Sequence, residues 1–330
     1  MSLDVAWLVI IITLALAFGF LNGFNDSGSI VSMMISSGAL SPRSALFLAS
    51  LAEFVGPFVF GVAIAAAIGK GILDQESITT GVILAALVGA IMWNIVSLHF
   101  SVPSSSTHAL VGGLVGAALA AQGVEGIEWE GLSRIVAALF LAPLIGGLLG
   151  YISLKTIIFL ARGATPSVNR LFKRSQVATA LALALLHGTI DGQKTMGIIT
   201  MSLVALGILP SFYVPMWVVA ASAGFLALGI AGGGSSITRT LGTRMYKIRP
   251  VHGFAVQAAS SVAVLGAVAL GGPVSATHVL GSAIIGVGTA ERRSRVRWDV
   301  VGTIAMAWLL TLPTAAAAAA LVYLAMGFVT

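Results

Sequence analysis

Long apolar runs alternate with short polar intervals along this chain, and the run lengths set the first reading. A bilayer crossing takes about 20 apolar residues and a half-helix about half that. Runs near or above this length cover 5–24, 43–69, 78–100, 131–160, 191–209, 213–231, 251–270, 273–289 and 298–328. Shorter runs cover 27–38, 104–121 and 177–189, and each paired short segment is read as part of one broken crossing. Met1–Asp4 carry no basic residue and 5–24 is too long for a signal-peptide core, so 5–24 reads as the first transmembrane segment.

Composition agrees with the pattern. Of 330 residues, 58% are apolar and only 8% are charged, where soluble domains carry roughly 25% charged residues. The chain therefore lacks the polar surface of a soluble enzyme, a nucleic-acid binder or a disordered protein. The formal charge of +6 lies in short loops between apolar runs, which is a topology signal and not a nucleic-acid footprint. There is no Cys, which excludes disulfides and thiolate chemistry. The fold class is an all-α polytopic protein of the cell membrane, with the lipid bilayer as its main partner.

Charge signs along the loops predict the path. Three intervals are basic: 162–174 (Arg162, Arg170, Lys173, Arg174), 239–249 (Arg239, Arg244, Lys247, Arg249) and 291–297 (Arg292, Arg293, Arg295, Arg297 against Glu291). Asp74 with Glu76, and Glu125 with Glu128 and Glu130, mark acidic intervals. The positive-inside rule places the basic loops and Arg43 in the cytoplasm. Each half then makes five net crossings, giving about ten with both termini outside. An odd count inverts the second half relative to the first. The predicted division is 1–161, a cytoplasmic basic linker 162–176, and 177–330.

Inverted halves should repeat in sequence. Asn22-Gly23-Phe24-Asn25-Asp26 matches His187-Gly188-Thr189-Ile190-Asp191 at an offset of 165. Pro103-Ser104-Ser105-Ser106-Thr107-His108 matches Pro273-Val274-Ser275-Ala276-Thr277-His278 at an offset of 170.

These repeated positions carry the candidate chemistry. Asp26 and Asp191 lie inside apolar runs, where a carboxylate costs about 3 kcal/mol on insertion scales and must pair, protonate or line water. Either a neighbouring helix satisfies them or they hold a cation or proton, with Asn25 and unwound carbonyls as further oxygen ligands. Proline followed by Ser/Thr is a helix-opening signature. Within a membrane such a start presents N–H groups, hydroxyls and a positive dipole end to an anion; at a membrane edge it is ordinary capping. Glu53 is a further intramembrane carboxylate, with Gln257 as its expected uncharged counterpart. Lys194, three residues past Asp191, has Ser29 in the corresponding place. It neutralises Asp191, replaces a bound cation or faces the anion. His108, His278 and His187 relay protons, bond phosphate oxygens or cap backbone carbonyls. No HExxH, GxSxG or Walker pattern occurs, so the chain does not read as an enzyme.

The two Asp motifs, the two Pro-x-Ser-x-Thr-His motifs and the run Asp191–Gly197 resemble the inorganic phosphate transporter family, PiT, which includes the solute carrier 20 proteins; the match to the short prokaryotic branch covers essentially the whole chain. The resemblance implies inverted repeats, a homodimer and cation-coupled symport of inorganic phosphate by alternating access, with no covalent cofactor and with Na+ or H+ as coupling ion. It implies that Ser104, Ser105, Ser106, Thr107, Ser275 and Thr277, with Gln193 and Lys194, face phosphate. Asn22, Asn25, Asp26, Asp191, Glu53 and Gln257 would then serve the coupling cation or proton, with sodium at Asp26 and Asp191 and the three histidines as relays. Ile190 stands where the family motif has Asn, Lys194 where longer members have Asn, and Gln257 where many have Glu. These departures weaken a cation site in the second half. Family members that carry sulfate or a neutral metal–phosphate complex make a sulfate permease the first alternative. An anion channel is the second, and an intramembrane hydrolase using Ser105 and His108 the remotest.

Overall fold

A computed structural model describes residues 3–165, 167–233, 237–238, 240–245 and 248–327. Arg239 and Lys247 of the basic interval 239–249 lie outside the described residues. The first helix, α1 (Leu3–Ser36), runs unbroken through Asp26. So does α7 (Val168–Ala205) through Asp191. The expected unwinding at these aspartates is therefore absent, and their neighbouring carbonyls stay in the helical ladder. The reason is lateral. Asn22, Asn25 and Asp26 find partners on other helices, so the backbone need not open to satisfy them. Ser27 and Ser32 return their hydroxyl protons to carbonyls one turn back in α1.

The interruptions lie elsewhere. Residues 43–69, expected as one span, form α2 (Pro42–Val59) and α3 (Ala63–Lys70), bent by 75°. Gly61 at the bend has φ +74°, the left-handed region glycine tolerates. The new helix start is capped from a distance by Gln193 Oε1, which accepts from the N–H groups of Ile64 and Ala65 at 2.8 and 3.1 Å. Two further breaks precede the predicted anion motifs. After α4 (Thr80–His99) the chain turns at Ser101 before α5 (Ser106–Gln122). After α8 (Met216–Ala231) and a π-turn at Thr240–Arg244, α9 (Pro250–Ala269) ends in a turn at Gly271 before α10 (Ala276–Arg292). Ser101 (φ 56°) and Gly271 (φ +66°) stand 170 residues apart, the same offset as the motifs they precede. The expected linker 162–176 is helical from Val168 onward, as the first turns of α7. Its Gln176 is buried, donating to the Met33 carbonyl at 2.8 Å.

The remaining helices are α6 (Trp129–Leu160) and α11 (Trp298–Gly327). Among the described residues six helices are long and apolar enough to cross a bilayer, seven with the bent α2–α3 pair. Phe47, Leu144, Leu148, Leu160 and Leu270 point outward, as side chains facing lipid do. Inside, α1 packs on α8 and α2 on α7, while α5 packs on α11 and α10 on α6. Glycine allows the first two contacts to be backbone on backbone. A Cβ on Gly23 would lie 2.2 Å from the Leu226 carbonyl oxygen, and one on Gly188 would lie 2.3 Å from that of Glu53. These contacts make Leu226 the residue that faces α1 as Glu53 faces α7. Gln257, expected in that place, lies on α9.

Candidate functional site

Five helices converge on one buried cluster, α2 contributing Glu53. α1 contributes Asn22, Asn25 and Asp26; α7 contributes His187, Asp191 and Lys194; α5 and α10 contribute their N-terminal turns. Each start is capped as its sequence predicts. Ser105 Oγ accepts from the His108 N–H at 3.1 Å, and Ser275 Oγ from the His278 N–H at 3.3 Å. The two starts face each other inside the protein. Thr107 Oγ1 donates to the Val274 carbonyl at 3.2 Å, and the His108 and His278 rings lie 4.5 Å apart. Ser105, Ser106, Thr107, Ser275 and Thr277 are all buried, while Ser104 is half-buried. The positive ends of two helix dipoles and their hydroxyls converge in the protein interior.

The carboxylates reach these starts from distant parts of the chain. Thr277 Oγ1 donates to Asp26 Oδ1 at 2.6 Å, tying α1 to α10. Lys194 Nζ lies 2.7 Å from Asp191 Oδ1 and donates to Ser106 Oγ at 2.6 Å and Thr107 Oγ1 at 3.3 Å, tying α7 to α5. Asn22 Nδ2 donates to Asp191 Oδ2 at 2.8 Å and so joins α1 to α7. His187 sits among three carboxylates. Its Nδ1 is 3.1 Å from Glu53 Oε1, and its Nε2 is 3.5 Å from Asp191 Oδ2 and 3.8 Å from Asp26 Oδ2. None of these His187 contacts is aligned as a hydrogen bond.

Charge in the cluster does not balance. Three carboxylates face one ammonium and one imidazole, all buried. With all three carboxylates ionised, one negative charge remains even when the imidazole is protonated; burial makes an uncompensated charge expensive, and a bound cation or a proton on a carboxylate removes it. Oxygen ligands for a cation are present. The Oδ1 atoms of Asn22 and Asn25 are buried without a hydrogen-bond partner, as is Ser29 Oγ one turn past Asp26. One ligand atom each from Asp26, His187 and Asp191 lies within 4.8 Å of the others, close enough to share one ion.

Two expected members stand apart from this cluster. Gln193 is buried on α7, with its side-chain oxygen engaged by the start of α3. Gln257 accepts from Thr179 Oγ1 at 3.2 Å, two turns before His187 on α7. One contributor is absent from the sequence reading. The Asn94 carbonyl in α4 accepts from Asn25 Nδ2 at 3.0 Å, and its own Nδ2 is buried without a partner. A polar amide inside the apolar run 78–100 was the available signal. Trp308 in α11 adds a brace, stacking on His278 at 4.1 Å and donating from Nε1 to the Pro103 carbonyl at 3.0 Å.

Known proteins resemble this chain over most of its length. A model of the phosphate transporter family matches residues 22–168 and 160–319. A Rhizobium meliloti (strain 1021) protein named "Probable low-affinity inorganic phosphate transporter" is 43% identical over 320 residues, covering 96% of each chain. A Bacillus subtilis (strain 168) protein of the same name is 38% identical over 319 residues, again covering 96% of each. Among solved structures, one titled "The sodium-dependent phosphate transporter" superposes with a TM-score of 0.90 at 24% identity, covering 98% of this chain and 100% of that one. At that identity the likeness speaks for the fold.

Proposed function

This chain belongs to the phosphate transporter family, and from that premise we propose that it is a cation-coupled symporter of inorganic phosphate working by alternating access. It is a multi-pass membrane protein of a transporter family and not an enzyme. The observation that carries the proposal is the meeting of two buried helix starts with two buried aspartates. Thr277 links Asp26 to the start of α10, and Lys194 links Asp191 to the start of α5.

Phosphate docks between Ser104–Thr107 and Ser275–Thr277, where N–H groups and hydroxyls are pre-oriented and water is scarce. A coupling cation, Na+ or H+, binds beside it at Asp26, with the unpartnered amide oxygens of Asn22 and Asn25 as neighbours. Cation and anion each lower the desolvation cost of the other, so they enter together more readily than either does alone. His187, between Asp26, Glu53 and Asp191, is placed to pass a proton among the carboxylates. His108 and His278 serve the helix starts, the first holding Ser105 Oγ through Nδ1 at 2.7 Å.

Access alternates by rocking of one bundle, built from helices of both inverted repeats 1–161 and 177–330, against the other; the repeats would make ten crossings with both termini outside. The reciprocal packing of α1 on α8 and α2 on α7, and of α5 on α11 and α10 on α6, supports that division. The test is phosphate uptake by Asp26→Asn protein that inserts and elutes normally. Uptake is expected to disappear, and wild-type uptake by the folded variant overturns the proposal.

A further inference from the structure

The two aspartates are served unequally, and the difference bears on how many ions move. Both oxygens of Asp191 are met by the chain's own donors: Oδ1 by Lys194 Nζ at 2.7 Å, Oδ2 by Asn22 Nδ2 at 2.8 Å. Asp26 receives one direct hydrogen bond from a chain donor, Thr277; its Oδ2 lies 3.8 Å from His187 Nε2, and its carboxyl sits against that of Asp191. The position matching Lys194 in α1 is Ser29, whose buried hydroxyl has no partner.

Resting on the symport reading above, we infer that Lys194 is a tethered cation that stands in for one coupling ion on the Asp191 side. Its ammonium is 1% exposed and lies among a carboxylate and two hydroxyl oxygens drawn from two helices. That oxygen set is the kind a small hard cation selects, and the three contacts match the three donors of an ammonium. The charge lies beside the hydroxyls that face the anion, so it assists phosphate as a bound ion would. It differs in one respect: the side chain cannot leave with the substrate. An exchangeable cation is then needed only on the Asp26 side, where oxygens lack donors. Removing the Lys194 charge leaves Asp191 facing Ser106 and Thr107 with no cation between them, a buried imbalance that a free ion relieves.

The test reads sodium directly. Wild type, Lys194→Ala and Lys194→Gln are purified in sodium chloride and in choline chloride, and equilibrium binding of radiolabelled sodium is measured without phosphate. The inference expects about one more sodium per chain in both neutral variants than in wild type, and better recovery of folded variant in sodium than in choline. Equal sodium binding in all three proteins overturns it, as do neutral variants that fold poorly and are recovered no better in sodium. Because phosphate is absent, a wild type that failed to transport phosphate would sink the symport reading while leaving this result legible.

Discussion

A carboxylate inside a bilayer has to be met by donors or by a cation, and at Asp26 the chain supplies few. Thr277 gives its one direct hydrogen bond and holds it against the start of α10. Thr277→Val keeps the shape and removes that donor. Losing a hydrogen bond to a charged group costs about 1.5–3 kcal/mol, so uptake is expected to fall about ten- to a hundredfold. Thr277→Ser should retain most of it. Uptake unchanged in Thr277→Val would show that the Asp26–Thr277 bond does not couple ion to anion. At this scale the sequence was informative where a residue type recurred. Asp26, Asp191, Thr107 and Thr277 announce themselves because each motif occurs twice. Asn94 does not: the residue 170 positions later is Val264, and Asn94 meets Asn25 through its backbone carbonyl, which no sequence pattern encodes. The cap that Gln193 supplies is hidden for a similar reason, since its partners lie at the start of α3, 129 and 128 residues away.

Helices here are positioned by backbone approach as much as by side chains. Gly188 brings α7 onto α2 so closely that an added Cβ would lie 2.3 Å from the Glu53 carbonyl oxygen and 2.5 Å from its Cα. Gly188→Ala is expected to cost about 1–3 kcal/mol, as overpacking does, and to push Glu53 away from His187. Its thermal midpoint in detergent should fall, and a wild-type midpoint would show that α2 and α7 separate freely. Ser101 offers the opposite experiment. A left-handed residue with a side chain is strained by about 1–2 kcal/mol, and glycine gives back about 0.5–1 kcal/mol in unfolded-state entropy. Ser101→Gly should therefore raise stability by about 0.5–1 kcal/mol, unless the Ser101 side chain holds the turn, in which case the midpoint drops. Element continuity was the least legible level. Gly, Asn and Asp within an apolar run read as a break, yet α1 and α7 stay whole: the amide donors of Asn22 and Asn25 reach other helices, and Asp191 is met by Asn22 and by Lys194 of its own helix. The span 43–69 reads as continuous, yet it bends because a helix elsewhere supplies the cap that α3 needs.

Over the whole molecule, membrane insertion and family were readable from run length and from four ordered motifs. The pattern of oxygens near Asp26 and Asp191 that lack donors was not, because it is a property of packing between helices far apart in sequence. In the proposed mechanism a cation gradient drives phosphate through this cluster. The most direct test is uptake of labelled phosphate into proteoliposomes, with sodium and proton gradients imposed separately and sulfate offered as competitor. Phosphate accumulation driven by one of the two gradients is expected, insensitive to sulfate and abolished by Asp26→Asn. Phosphate flux indifferent to both gradients, or sulfate carried while phosphate is ignored, would contradict it.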